Sequence, residues 1–267
     1  MTAEAIQPLL DDATADVSAL SAVHVFDSLP STNTWLKERA PLAVGQSEAV
    51  LALHQTAGRG RLGKVWQAPA KSGLCLSVSH QYETMPADVG AISLALGVTV
   101  GRVLESLGSG EIMLKWPNDI VWQDQKLGGI LAESTAGADG FRVIAGIGIN
   151  LDLPDGFDPT SANAWSDGAA DLISTGLQIS LVDLAKAMIP EVVETLASFS
   201  AATLAETVEA FNRRHWLRDR AAELEGRMLR CDDVDEKGRL RVVDMQDGQI
   251  REIDSGEVTP LAWSGAS

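Results

Sequence analysis

From His54 to Trp66 the chain runs His-Gln-Thr-Ala-Gly-Arg-Gly-Arg-Leu-Gly-Lys-Val-Trp, with Gly58, Gly60 and Gly63 interleaved with Arg59, Arg61 and Lys64. Glycines leave backbone N–H groups exposed, and guanidinium groups offer paired donors, so this composition suits the gripping of a small carboxylate or phosphate. The spacing is not that of a Walker A loop, and no helical pattern follows to make a dinucleotide-binding turn. Taken alone, the loop reads equally as a solvated basic segment or an RGG-like nucleic-acid binder.

Four other clusters carry polar chemistry. Ser31, Thr32, Asn33 and Thr34 precede Trp35-Leu36, where one of them can cap a helix. Lys115-Trp-Pro-Asn-Asp119 follows the apolar Ile112–Leu114, which reads either as a site at a strand end or as an ordinary turn. Lys126 opens the apolar run Lys126-Leu-Gly-Gly-Ile-Leu-Ala-Glu-Ser134. In Gly146-Ile-Gly-Ile-Asn150 the glycines share one strand face, so either a ligand or a crossing strand lies against the backbone there.

Elements that could position these groups are legible in the hydrophobic pattern. Ala49–His54, Leu74–His80 and Ile144–Asn150 read as buried strands, and Ala87–Leu107 carries apolar residues at three- and four-residue spacing, predicting one helix on a sheet with Gly97 and Gly101 at a close approach. Pro154–Ala170 reads as a long loop. Ser180 and Asp183 predict a helix start, Pro190 a kink or stop, and Thr203 with Glu206 a capping box. Leu240–Met245 and Ile250–Ile253 flank Asp247-Gly248, which predicts a hairpin in a small all-β tail. Residues before Val23 read as a short helix or a frayed leader.

The 267 residues carry a formal charge of −16, which disfavours polyanion partners through the long-range field. The longest uncharged apolar run, Val89–Gly101, is too short to span a bilayer, and the acidic start lacks an export signal. Cys75 and Cys231 have no metal-ligand spacing and read as free thiols, so a cytoplasmic location is expected, without membrane or DNA partners.

Together, Ser31-Thr32-Asn33, the His54–Trp66 loop, Lys115–Asp119, Lys126–Leu131 and Gly146–Asn150 resemble, in order and spacing, the biotin–protein ligase family, over residues 24 to 151. The resemblance implies an α+β fold: a mixed-sheet catalytic domain like the class II synthetases over 24–220, after a leader at 1–23, and an SH3-like β-barrel over 221–267. It implies activation of biotin by ATP and Mg2+ to biotinyl-5′-AMP, and then transfer to a lysine of a biotin carboxyl carrier domain of a carboxylase.

Residue by residue, Ser31, Thr32, Asn33, Gln55, Gly58, Arg59, Gly60, Arg61, Lys126, Gly146 and Gly148 are the implied biotin contacts. Arg59, Arg61, Lys64, Trp66, Asn118, Lys126 and Asn150 are the implied adenylate contacts. Arg61, Lys126 and Asp119 are the expected catalytic set, with Asp119 open between a magnesium ligand and a guide for the acceptor lysine. Trp165 is a candidate for adenine stacking. Leu62 and Lys64 stand where many relatives carry arginine, which bears on adenylate affinity.

The loop is expected to be mobile without ligand, and a homodimer is possible. Family members that repress transcription carry an N-terminal helix-turn-helix domain, for which few residues precede the matching region, so operator binding is expected to be absent. Lipoate or octanoyl transfer on a related fold is the alternative, and a nucleic-acid-binding module the weakest reading.

Overall fold

A computed structural model describes residues 1–157 and 168–261. Alternation along the strands sets the architecture. On β2 (Ser47–Ala52), β3 (Gly73–Tyr82) and β7 (Gly140–Asn150), Ala49, Leu51, Leu74, Leu76, Val78, Ala145, Ile147 and Ile149 are buried in one large core. With a side-chain period of two, the intervening Cys75, Ser77, Ser79, Gly146 and Gly148 face the other way. One face of the sheet is therefore aliphatic, and the other is small or polar.

Seven strands lie in the order β1 (Leu20–Phe26), β2, β3, β7, β6 (Gln125–Gly137), β5 (Asp119–Trp122) and β4 (Met113–Lys115). Only β1 and β2 are parallel; the other pairs are antiparallel. A parallel pair needs a crossover, and α2 (Thr32–Lys37) lies in it, its first turn capped by Ser31 Oγ accepting from the Thr34 N–H at 3.4 Å. On the polar face α2 packs over β2, β3 and β7, where Leu36, Val50 and Ile144 make a small separate cluster.

The aliphatic face is covered by α3 (Ile92–Ser106) and α4 (Leu181–Ser198), with α5 (Ala201–Arg213) against α3 and α1 (Ala3–Thr14) against β1 and α4. A 3₁₀ turn, Val89–Ala91, leads into α3. Residues Val89–Ser106 are long and apolar enough to cross a membrane, but most of that surface is buried inside the protein, which makes it a core helix.

Of the two readings of the residues before Val23, the structure shows the short helix: Ile6 and Leu10 of α1 are in the core, and β1 already starts at Leu20. Gln7 of α1 also seals the sheet edge, its Oε1 accepting from the Val25 N–H and its Nε2 donating to the Val23 carbonyl, both at 2.9 Å. Burial of that amphipathic face outweighs the acidic local composition. Pro190 lies inside α4 without ending it. The cap of α5 is Ser200 with Thr203, three residues upstream of the expected pair, and the Ser200 N–H donates to Thr203 Oγ1 at 3.0 Å.

The C-terminal unit is a five-stranded antiparallel sheet in the order β11 (Ile250–Ile253), β10 (Leu240–Asp244), β9 (Arg227–Val234), β8 (Ala221–Leu224) and β12 (Thr259–Pro260), with no barrel-closing pair among the described residues. The Asp247-Gly248 hairpin forms, but it is wider than a two-residue turn because Asp244 N–H already donates to the Gln249 carbonyl. Trp116 Nε1 donates to the Gly238 carbonyl at 3.1 Å, and the Asn212 side chain bonds both the N–H and the carbonyl of Val234, so the two units share one continuous core.

Beyond α5 the chain pairs with β4, with Leu114 N–H donating to Arg214 O and Trp216 N–H to Leu114 O. This buries His215 beside Phe211. Burial, helped by the Arg218 charge, pushes its pKa down to about 3. The unfolded chain, with a histidine pKa near 6.5, binds the proton more readily, so this contribution is complete above about pH 6.5 and is lost as pH falls toward 3. We expect stability to drop by up to roughly 1.4 kcal/mol per pH unit below 6.5 from this group. In denaturant titrations at pH 7 and pH 5, a His215→Phe variant should lose less stability on acidification than the wild type.

Candidate active site

On the polar face, register aligns the floor of a cavity. Gly129, Gly148 and Cys75 stand in one transverse row, and Leu131, Gly146 and Ser77 in the next. A Cβ on Gly146 would lie 2.3 Å from Asn33 Oδ1, and one on Gly148 would lie 2.5 Å from the Trp66 ring. The two glycines therefore exist to admit side chains: Asn33 from α2 and Trp66 from the glycine/arginine loop sit directly on the strand backbone. The cavity, partly open to solvent, has a volume of about 90 Å³.

One wall is a chain of hydrogen bonds. Gln55 Oε1 accepts from the Thr32 N–H at 2.8 Å and from Thr32 Oγ1 at 3.0 Å. Ser77 Oγ lies 2.7 Å from Thr32 Oγ1 and 2.6 Å from Asn33 Oδ1. Asn33 Nδ2 donates to the Leu131 carbonyl at 3.2 Å and to Glu133 Oε2 at 3.0 Å. Arg59 closes the chain with two bonds to the Glu133 carboxylate, at 3.0 and 2.9 Å. Burial would raise the Glu133 pKa, but its bonds to Asn33 and Arg59 outweigh that and hold it below the usual range.

The opposite end is charged. Asp119, at the start of β5, lies 2.6 Å from Lys126 Nζ through Oδ1 and 3.4 Å from Lys115 Nζ through Oδ2. Burial by itself would protonate Asp119; the two ammonium groups outweigh it and keep its pKa below the carboxylate range. Lys115 is shifted down by burial despite Asp119. A cis peptide joins Trp116 to Pro117. Asn118 is stitched to β6 by Nδ2 donating to the Ile130 carbonyl at 2.8 Å, and Arg61 Nη1 donates to Asn118 Oδ1 at 3.4 Å.

The loop between these ends folds on itself, with the Gly60 N–H bonded to Lys64 O and the Lys64 N–H to Arg61 O. This turn places Leu62 at φ +53°, a left-handed conformation that costs a residue with a Cβ about 1–2 kcal/mol, while Gly63 takes φ +77° without that cost. Lys64 is ion-paired with Glu257 of the C-terminal unit. Of the three loop cations, Arg59 and Lys64 are thus neutralised locally, whereas Arg61 makes no ion pair among the described residues. Two ion pairs also tether a loop that its composition predicts to be mobile.

Most of the expected contacts converge on this cavity: Ser31, Thr32, Asn33, Gln55, Arg59, Gly60, Arg61, Lys64, Trp66, Asn118, Asp119, Lys126, Gly146 and Gly148 all line it. Two do not. Gly58 packs against the Trp66 backbone, its carbonyl accepting from the Trp66 N–H. Asn150 is buried, its Nδ2 donating to Ala170 O at 2.9 Å and Lys126 O at 3.3 Å, so it fastens the returning loop to β6. Trp165 lies outside the described residues.

Sequence reasoning missed Cys75, Glu257 and Val258 in the lining, and it gave Lys115 no role beyond its place in the Lys115–Asp119 cluster. Strand period could have found Cys75, whose thiol burial pushes up to about 11 against the opposing pull of Gln55 and Trp66. Nothing local marks Glu257, which arrives from another unit. Among the described residues no group of three metal-ligating side chains occurs, and both Asp119 oxygens already face ammonium groups. Gly146→Ala tests the floor: with Asn33 held on both sides, it should cost about 1–3 kcal/mol of stability by overpacking, read by urea denaturation.

A model of the biotin/lipoate A/B protein ligase family matches residues 25–150. The bifunctional ligase/repressor BirA of Escherichia coli (strain K12) is 30% identical over 245 residues, 91% of this chain and 72% of that protein. The biotin–[acetyl-CoA-carboxylase] ligase of Mycobacterium tuberculosis is 39% identical over 146 residues, 52% of this chain and 53% of that one. Among solved structures, the biotin protein ligase from Aquifex aeolicus in complex with biotin and ATP superposes with a TM-score of 0.73 at 26% identity, covering 90% of this chain and 99% of that one. The biotin acetyl coenzyme A carboxylase synthetase from Helicobacter pylori, with bound biotinylated ATP, gives 0.60 at 26% identity over 86% of this chain and 99% of that one. This chain belongs to the biotin/lipoate A/B protein ligase family.

Proposed function

We infer that this chain is an ATP-dependent biotin–protein ligase, which joins biotin to ATP as biotinyl-5′-AMP and passes the biotinyl group to a lysine of an acceptor protein. The observation that carries this reading is a single cavity with a polar wall, Gln55–Thr32–Ser77–Asn33, at one end and Arg61 with Lys126–Asp119–Lys115 at the other. A cyclic urea needs the first, because its donors and acceptors must be satisfied once buried. A carboxylate that must meet a phosphate needs the second.

In the first step a carboxylate oxygen of biotin attacks the α-phosphorus of ATP and pyrophosphate leaves; in the second the acceptor amine attacks the acyl carbon and AMP leaves. The first step brings two anions together, so fixed positive charge that meets the transition state lowers its barrier. Arg61 is the loop cation that no carboxylate among the described residues pairs with, and we assign it to the reacting carboxylate and phosphate. Lys126 is aimed by its 2.6 Å contact with Asp119 and contributes directed charge.

Asp119 itself, held well into its ionised form, is a poor proton acceptor, and we assign it to orienting ammonium groups. Mg2+ then enters with the nucleotide phosphates, which is its common mode of binding. We assign Trp66 to the apolar wall, residues up to about 220 to the catalytic unit, and the later strands to a small β unit that closes the loop through Glu257. A biotin carboxyl carrier domain is the acceptor we propose, and the two buried free cysteines fit a reducing compartment.

Incubation with biotin, Mg-ATP and a carrier domain, read by mass, should give pyrophosphate, AMP and an acceptor heavier by one biotinyl group; lipoate in place of biotin should give neither adenylate nor product. No nucleotide turnover with biotin would overturn the reading. Lys126→Ala should slow single-turnover adenylate formation by roughly 10²–10³-fold while biotin affinity by calorimetry stays within a few fold. Equal losses in both would remove Lys126 from the chemistry.

A further inference from the structure

Glu133 lies on β6 at the half-exposed end of the hydrogen-bond chain, behind Asn33, and takes no part in the chemistry assigned above. Its carboxylate accepts hydrogen bonds only. Oε2 takes one from Asn33 Nδ2 at 3.0 Å and one from Arg59 Nη1 at 3.0 Å, and Oε1 takes one from Arg59 Nη2 at 2.9 Å. Asn33 must therefore turn its nitrogen toward Glu133 and the Leu131 carbonyl, which leaves its oxygen facing Ser77. At the far end the Thr32 backbone N–H, which can only donate, holds the Gln55 oxygen and leaves the Gln55 nitrogen as a donor.

An acceptor-only group and a donor-only group thus bracket the wall and set its polarity. The open capacity in between is acceptor lone pairs on Thr32, Ser77 and Asn33, with a donor on Gln55 at the end. That pattern complements a ring carrying two N–H donors and one carbonyl. By engaging both ends of the Arg59 guanidinium, Glu133 is also occupied away from Arg61, the loop cation without an ion pair among the described residues.

Resting on the biotin-activating reading, we propose that Glu133 is a positioning residue for substrate recognition: it fixes the hydrogen-bond polarity of the urea-facing wall through Asn33 and tethers the loop through Arg59. Glu133 touches no reacting atom, so its effect falls on binding and not on the chemical step.

Two variants separate polarity from shape. Glu133→Gln keeps the shape but must turn an NH2 group toward either Asn33 or Arg59, whereas Glu133→Asp is shorter but still accepts only. Biotin affinity by calorimetry should fall about tenfold or more in Glu133→Gln, on the scale of one hydrogen bond to a charged group, and less in Glu133→Asp. The single-turnover adenylation rate at saturating biotin should stay within about threefold of wild type in both, a KM effect without a kcat effect.

Without any ligand, trypsin should cut after Arg59 faster in Glu133→Gln than in wild type, with Glu133→Asp between them, at matched melting temperatures. The reverse order of the two variants, a loss confined to the adenylation rate, or unchanged proteolysis would overturn the proposal. Wild-type protein that forms no biotinyl adenylate would instead sink the ligase reading, and the ligand-free proteolysis would still decide the role of Glu133. If Glu133→Gln does not fold, the Glu133→Asp variant decides by the same two readouts, with wild-type proteolysis and affinity overturning it.

Discussion

Like charges repel strongly where water is scarce, and the catalytic cavity concentrates Arg59, Arg61, Lys64, Lys115 and Lys126 in a small space. The structure meets this constraint with carboxylates drawn from three separate elements. Asp119 at the head of β5 serves Lys126 and Lys115, Glu133 on β6 serves Arg59, and Glu257 in the C-terminal unit serves Lys64. A buried ion is costly unless it is paired and hydrogen-bonded, so each pairing lets a cation be held close to the reaction without opening the site. Arg61 is left as the loop cation without an ion pair among the described residues.

Placing those carboxylates requires the two-faced sheet. The aliphatic face of β2, β3 and β7 is consumed by α3 and α4, which anchors the strands firmly enough for the other face to carry little side-chain volume. Gly146 and Gly148 then admit Asn33 and Trp66 against the backbone, and the helix and the loop that bear them are drawn down onto the floor. The same arrangement explains why the C-terminal sheet belongs to the site: Trp116 and Asn212 hold it against the first unit, and its Glu257 reaches the loop.

The net charge of −16 and the basic loop are two sides of one design. A string of three cations in seven residues looks like a surface for polyanions. In the folded chain two of the three are internally neutralised, so the loop carries a directed charge at one point instead of a diffuse positive patch. That suits one small anionic group held in a cavity far better than an extended phosphate backbone.

Local signals in the chain determined a good deal. Compact apolar runs marked β2, β3 and β7, three- and four-residue spacing marked α3, and the five short motifs named nearly all of the cavity lining, because these patterns are set by neighbours in sequence. Local signals left residues 1–23 open between a helix and a frayed leader, and they misjudged the start of α5 and the width of the Asp247-Gly248 turn, where packing against distant surfaces outweighs composition. They also could not say whether Gly146 and Gly148 meet a ligand or a strand, place Asn150 behind the site, or pair Glu133 and Glu257 with the loop. Those outcomes depend on contacts between residues far apart in the chain, Lys64 with Glu257 above all, and a charge finds such a partner only after the sheet, the helices and the second unit have packed.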